Sequence, residues 1–279
     1  MIAYACISSS HTNDNNRSEW RLKTHSSGRN GDLKPISMAE ITAKNQNGMT
    51  MSSLLLLKGF AKMDKISFKE RVRQTVITCS KKYKNNFVDY DYLVCSKAFY
   101  KQSYYIISAH EDNYQHLTGV HSLISPQEFF KKCYDGSLSD NDFDFIKKGQ
   151  SEKSVKGSVR EKIAVLDNTM DLFTYPEIYV EESFHKNRIV CSFATAVNSF
   201  TLGFANNKYA TPKSLLKNNQ LNNSNDKVDL IIRKRKSEEF YSEIIFANTE
   251  TIKIYYNKIK HLLSHQTATA LSQHCAECK

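Results

Sequence analysis

Apolar positions fall into two regimes along the chain. Up to residue 52, large aliphatics are scarce among Ser, Asn, Thr, Gly and single charges. Such a segment cannot bury enough apolar surface to offset its ordering entropy. Residues 1–52 are therefore expected to be a disordered extension, with a natural start at Met49 or Met51 as a second option. From Ile66 the pattern changes: Ile66, Phe68, Val72, Val76, Ile77 and Tyr83 recur at near-helical spacing between Lys and Arg. This predicts a helix ending near Lys84-Asn85-Asn86. Residues 90–100 and 103–109, rich in Tyr, Val and Ile, then read as two strands of a hairpin linked by Lys101-Gln102.

The middle reads as helical. Ser125-Pro126-Gln127-Glu128 resembles an N-cap followed by Pro at the first helical position, and Gly136 closes that helix. A short segment after Ser139 runs through Phe145 and Ile146, and residues 149–157 are polar enough for a loop. Val159, Ile163, Leu166 and Met170 share one face of a helix over 158–172. Strands are predicted at 178–184, 188–196, 201–204, 228–234 and 241–247, with an Asn-rich loop at 217–225. A closing helix over 250–263 carries Ile252, Tyr255, Ile259 and Leu262, and residues 266–279 read as a loose tail. The order predicts an α+β fold over residues 64–265, with helices packed on one side of an antiparallel sheet.

Charge sharpens this picture. With 39 Lys+Arg against 29 Asp+Glu the net charge is +10. That balance favours polyanionic partners such as nucleic acid, although a solvated lysine-rich surface accounts for it equally well. Seven scattered cysteines, an odd number, read as free thiols of a reducing compartment. Leu54 to Leu57 is the one dense aliphatic run and is far too short for a bilayer, so a soluble, cytoplasmic protein without membrane contact is expected. His274-Cys275-Ala276-Glu277-Cys278 holds a lone CxxC with no second cluster to complete a zinc site. No Walker loop, HExxH or Rossmann glycine pattern is present, so no metal or cofactor is expected.

Two segments carry candidate chemistry. Tyr114-Gln115-His116-Leu117-Thr118-Gly119-Val120-His121 follows a predicted strand, which places His116 just beyond a strand end. Histidine titrates nearest neutrality and can relay a proton between oxygens, while Gly119 permits a tight turn. In the second segment, residues 201–216, a strand ends and Pro212-Lys213-Ser214 reads as the start of a short helical piece. Its free amides and Ser214 could hold a phosphate with help from Lys213; a routine N-cap is the alternative. Arg233-Lys234-Arg235-Lys236 is a dense basic run that either grips a polyanion backbone or guards a sheet edge.

The His-Leu-Thr-Gly element after a hairpin strand, followed by Leu-Gly-Phe and Tyr-x-x-Pro-x-Ser-Leu, resembles a phage-associated branch of the barnase, EndoU, colicin and RelE-like nuclease superfamily. The resemblance spans roughly Ile66 to Ser264. It implies a helical start packed on an antiparallel sheet and a metal-independent endoribonuclease that drives the ribose 2′-hydroxyl onto the adjacent phosphate. It further implies a phage or mobile-element effector, with RNA as substrate and a cognate immunity or antitoxin protein as a further partner. Carried onto this chain, His116 becomes the general base or acid, and Thr118 orients it or contacts phosphate. Lys162 becomes the charge stabiliser, with Thr201, Tyr209 and Ser214 as further pocket residues. Lys213, Arg233, Lys234 and Arg235 are the candidate RNA contacts. The second proton carrier stays open between His121 and Tyr209. That gap keeps a rival in view: a catalytically inactive RNA-binding module of the same fold.

Overall fold

A computed structural model of the chain describes residues 66–223 and 225–276, side chains of 274–276 excepted, together with the backbone of residues 43–44 and 50–51. Ala43–Lys44 (β1) and Thr50–Met51 (β2) pair antiparallel in a unit separate from the one that begins at Ser67. The rest of the stretch expected to be disordered lies outside the described residues, as do the side chains of the CxxC. Among the described residues no helix is long and apolar enough to cross a membrane.

Local capping rules set the helix starts. Ser67 accepts a hydrogen bond from the Glu70 amide at 3.0 Å and opens α1, Phe68–Tyr83, which continues through one π-turn, Lys84–Val88, toward the strand that begins at Tyr90. Helix α2 is the short Asn113–Thr118. Helix α3, Pro126–Asp135, is capped by Ser125 and closed by left-handed Gly136, as the sequence pattern predicts. Helix α4 runs Glu152–Met170 from an N-cap at Ser151, so its first turns occupy residues expected to be a loop. Helices α5, Ile252–Ile259, and α6, His265–Ala276, close the described chain. The loose tail expected over 266–279 is thus helical as far as residue 276, and its Leu271 is buried.

The main strands are β3 (Tyr90–Cys95), β4 (Tyr104–Ser108), β7 (Tyr179–Glu182), β10 (Phe193–Ala196), β11 (Phe200–Asn206), β12 (Ala210–Lys217), β13 (Leu230–Arg235) and β14 (Glu243–Ala247). Short pairs β5 (His121–Ser122) with β6 (Phe143–Asp144), and β8 (His185–Lys186) with β9 (Ile189–Val190), lie outside that sheet. The eight-stranded order is β14-β13-β3-β4-β12-β11-β10-β7. Every pairing is antiparallel except β12 with β4, where Ala210 lies opposite Ile107.

Strand alternation divides the apolar residues between two faces. Tyr92, Val94, Ile231, Phe193, Phe200, Leu202 and Phe204 join the main core against α1 to α4. Leu93, Cys95, Leu230 and Ile232 point the other way, onto Ile252, Tyr255 and Ile259 of α5 and Leu271 of α6. The α+β class and the antiparallel sheet are as predicted, but helices cover both faces rather than one. Both faces of the central strands are buried, which explains why they read as continuous apolar runs. Several buried tyrosines build this core and satisfy their hydroxyls on backbone carbonyls or carboxylates. Tyr83 donates to His110 at 2.9 Å, Tyr114 to Val76 at 2.6 Å and Tyr255 to Asp229 at 2.6 Å.

Candidate active site

Where β4 ends, the chain turns into α2, which packs along β12 and against α4. The last turn of α2 leaves carbonyls without intrahelical partners. Two lysines supply them: Lys162 Nζ donates to the His116 carbonyl at 2.9 Å and Lys147 Nζ to the Gly119 carbonyl at 2.6 Å. Gly119 itself has φ +78°, and a Cβ there would lie 2.7 Å from Lys162 Cδ. Glycine is therefore required twice, by its left-handed backbone and by the lysine stem crossing it.

A cleft of about 380 Å³ opens at this point, and its wall includes His116, His121, Lys147, Lys148, Lys162 and Lys213. These four lysines and two histidines face one space that, among the described residues, no carboxylate lines. Burial pushes the Lys162 ammonium down to about 8, and the neighbouring charge of Lys147 adds to the effect. Burial likewise lowers Lys147. Lys213 reaches the cleft from β12, where the register against β11 shifts, and its Nζ donates to the Val190 carbonyl at 2.9 Å.

The two histidines differ in support. His116 is exposed, and its ring makes no hydrogen bond among the described residues. His121 stands opposite Asp144 in the β5–β6 pair, and its Nδ1 lies 2.8 Å from Asp144 Oδ1. Burial opposes ionisation of Asp144, but the Ile146 amide and His121 together hold its carboxyl below the ordinary aspartate value. A neutral His121 must carry its proton on Nδ1 to donate to that carboxylate, which leaves Nε2 as an acceptor. The ring is thus fixed in tautomer and orientation by a partner that does not line the cleft.

The structure brings together His116, His121, Lys162 and Lys213 from the residues the sequence named, with His121 the better-held imidazole. The others lie elsewhere. Thr118 is buried, its hydroxyl donating to the Gln115 carbonyl at 2.7 Å, so it neither orients the His116 ring nor faces the cleft. Thr201 is also buried; it donates to the Asn218 carbonyl at 2.9 Å and accepts from the Gln220 amide at 2.8 Å. Ser214 does not open a helical piece: it lies within β12, paired with Gly203, so it offers no helix N-terminus to a phosphate. Tyr209 is exposed just before β12, outside the cleft wall.

The basic run is largely engaged within the fold. Arg233 forks onto Glu243 with bonds of 2.7 and 2.6 Å and stacks 4.4 Å over the Tyr90 ring, which Arg235 also overlies at 5.3 Å. Lys234 donates to the Glu238 carbonyl at 2.5 Å and Lys236 to the Ala109 carbonyl. Those contacts fit a braced hairpin turn.

Asp144, Lys147 and Lys148 went unmarked in the sequence. Asp144 belongs to a two-residue strand whose pairing is set by tertiary structure, and the Lys147-Lys148 pair, a usable charge signal, abuts a stretch polar enough to pass for a loop. Among the described residues no three His, Cys, Asp or Glu side chains gather as a metal site would require.

A cationic cleft with two imidazoles, one held by a carboxylate, suits proton transfer beside a phosphate. No curated protein and no solved structure matches the chain. A family model described as phage-Barnase-EndoU-ColicinE5/D-RelE like nuclease4 matches residues 75–265, and the chain belongs to that nuclease family, whose substrate is nucleic acid.

Proposed function

We propose that the chain is an endoribonuclease that cleaves RNA by transesterification, without a metal in the chemical step. The observation that carries this reading is the His121–Asp144 pair set beside His116 in a lysine-walled cleft. In the proposed reaction His121 Nε2 removes the proton of a ribose 2′-hydroxyl, and the 2′-oxygen attacks the adjacent phosphorus. The bond to the 5′-oxygen breaks, and a protonated His116 gives that oxygen its proton. The products are a 2′,3′-cyclic phosphate and a free 5′-hydroxyl. Charge gathering on the phosphoryl oxygens is met by Lys148, Lys162 and Lys213, in a cleft whose lowered dielectric strengthens each interaction.

The test is cleavage of an end-labelled RNA oligonucleotide in EDTA, with end-group analysis of the products. Cyclic-phosphate ends are expected, and a 2′-deoxy substitution at the cleaved nucleotide should abolish the reaction. His121→Ala and His116→Ala should each lower the rate by about 10²–10⁴, the usual worth of a placed proton carrier. Asp144→Ala should lower it less, because the imidazole remains but loses its fixed orientation. Cleavage that survives in a folded His116→Ala, His121→Ala double variant would sink the proposal. RNA bound by the wild type without products would point instead to a non-catalytic module.

A further inference from the structure

Strand β12 links the cleft to an exposed aromatic ring. Ala210 and Pro212 are buried, whereas Thr211 is half-buried and Lys213 exposed. Tyr209, just before the strand, is 40% exposed. Tyr209, Thr211 and Lys213 are thus the open positions of this segment, between buried Ala210 and Pro212, with Lys213 at the register shift of the strand. Lys213 forms part of the cleft wall. Four residue steps of chain separate Tyr209 from Lys213, a span of at most about 14 Å. A few nucleotides of an extended strand cover that distance.

Tyr209 also differs from the core tyrosines. Tyr83, Tyr92, Tyr105, Tyr114 and Tyr255 are buried with their hydroxyls bonded. Tyr209 makes no hydroxyl hydrogen bond among the described residues, and Lys208 Nζ stands 5.3 Å from its ring centroid. An open ring accompanied by a cation is the pairing that takes a base by stacking and its phosphate by charge.

We propose that Tyr209 and Lys208 form a flanking-nucleotide subsite of the cleft, which makes single-stranded RNA, extending several nucleotides past the scissile bond, the preferred substrate. A base can lie on the Tyr209 ring only when it has left its own helical stack, so a continuous duplex forfeits this contact. The subsite rests on the ribonuclease reading for its purpose, but its existence can be tested apart from cleavage.

The experiment compares wild type, Tyr209→Ala and Tyr209→Phe in two measurements on the full chain. The first is kcat/KM on a dinucleotide and on a single-stranded hexanucleotide. The second is binding of a fluorescent, 2′-deoxy-blocked hexanucleotide by anisotropy. The subsite predicts that the hexanucleotide is favoured over the dinucleotide in wild type, and that Tyr209→Ala lowers that advantage by roughly five- to hundredfold, the worth of one base–aromatic stack. Tyr209→Phe, which keeps the ring, should retain it, and binding should weaken in the same order. Equal losses on both substrates, equal losses in Ala and Phe, or a duplex that binds as well as the single strand would each overturn the subsite. If wild type cleaves nothing yet binding still depends on the ring, the catalytic reading fails and the subsite stands. If Tyr209→Ala cleaves and binds the hexanucleotide as wild type does, the subsite fails and the catalytic reading stands.

Discussion

Replacing Lys162 with methionine should make the protein more stable at neutral pH while it loses activity. The folded environment holds the Lys162 ammonium down at about 8, chiefly through burial, against an ordinary lysine value of 10.5. At about 1.36 kcal/mol per pH unit, keeping it charged in the fold costs roughly 3 kcal/mol. The side chain retains a partial opening to the cleft, so this is an upper figure. Methionine fills nearly the same volume without charge but abandons the 2.9 Å bond to the His116 carbonyl, a loss of about 1–2 kcal/mol. The variant should therefore gain roughly 1–2 kcal/mol at pH 7, raising Tm by roughly 2–8 °C for a unit of this size.

The pH dependence separates a buried charge from ordinary repacking. Below pH 8 the lysine is charged in both folded and unfolded chains, and the whole penalty is present. Between about 8 and 10.5 the folded chain has released its proton while the unfolded chain retains it, so wild-type stability climbs relative to the variant. Thermal unfolding of both proteins at pH 7 and pH 10 should thus show a gap that closes as pH rises. A variant less stable than wild type at pH 7, or a gap independent of pH, would mean that burial of this ammonium carries no such penalty. Cleavage should fall meanwhile, because the proposed reaction uses the same ammonium against the phosphate.

Two further outcomes follow from the packing and from the charge layout. A Cβ added at Gly203 would lie 2.5 Å from Cys191 Sγ, so Gly203→Ala should cost about 1–3 kcal/mol in chemical denaturation; Cys191→Ala introduced alongside should recover most of it, and failure of that rescue would locate the strain elsewhere. Lys148→Ala should reduce the slope of log affinity for RNA against log salt by about 1, whereas Arg233→Ala, which breaks the fork to Glu243, should cost at most about 1 kcal/mol of stability and leave that slope unchanged.

Much of the architecture was written in local signals. Ser125, Pro126 and Gly136 delimit α3 because caps act over three or four residues, and the strands follow from dense runs of Tyr, Val and Ile. What was missed depended on distant partners. Helix α4 begins at Glu152 rather than near 158: Glu152, Lys153 and Ser154 are exposed, and buried Val155 is the one apolar residue of that first turn, too little to mark a stripe. Pro212-Lys213-Ser214 has the look of a helix start, yet pairing with β11 across the register shift draws it into a strand. His116 was legible as chemistry, but as a residue beyond a strand end rather than one on a capped helix. His121 could be named only as an option, because its carboxylate sits 23 residues away and meets it through a two-residue strand. Thr118, Thr201 and Ser214 drew attention through motif position, while their hydroxyls answer to the backbone or lie along a strand.

The lone parallel pairing of β4 with β12 also bears on how the protein is built. It joins two antiparallel half-sheets, β14-β13-β3-β4 and β12-β11-β10-β7, and its partners Ile107 and Ala210 are far apart in the chain. The first half contains a still longer closure, since β13 meets β3 with Leu230 opposite Cys95, so assembly of the sheet rests on two long-range, entropically expensive pairings. His116 follows the strand on one side and Lys213 rides on the strand of the other. The cleft therefore exists only where the two halves meet, and a chain in which they have not yet paired holds the reactive groups without holding them together.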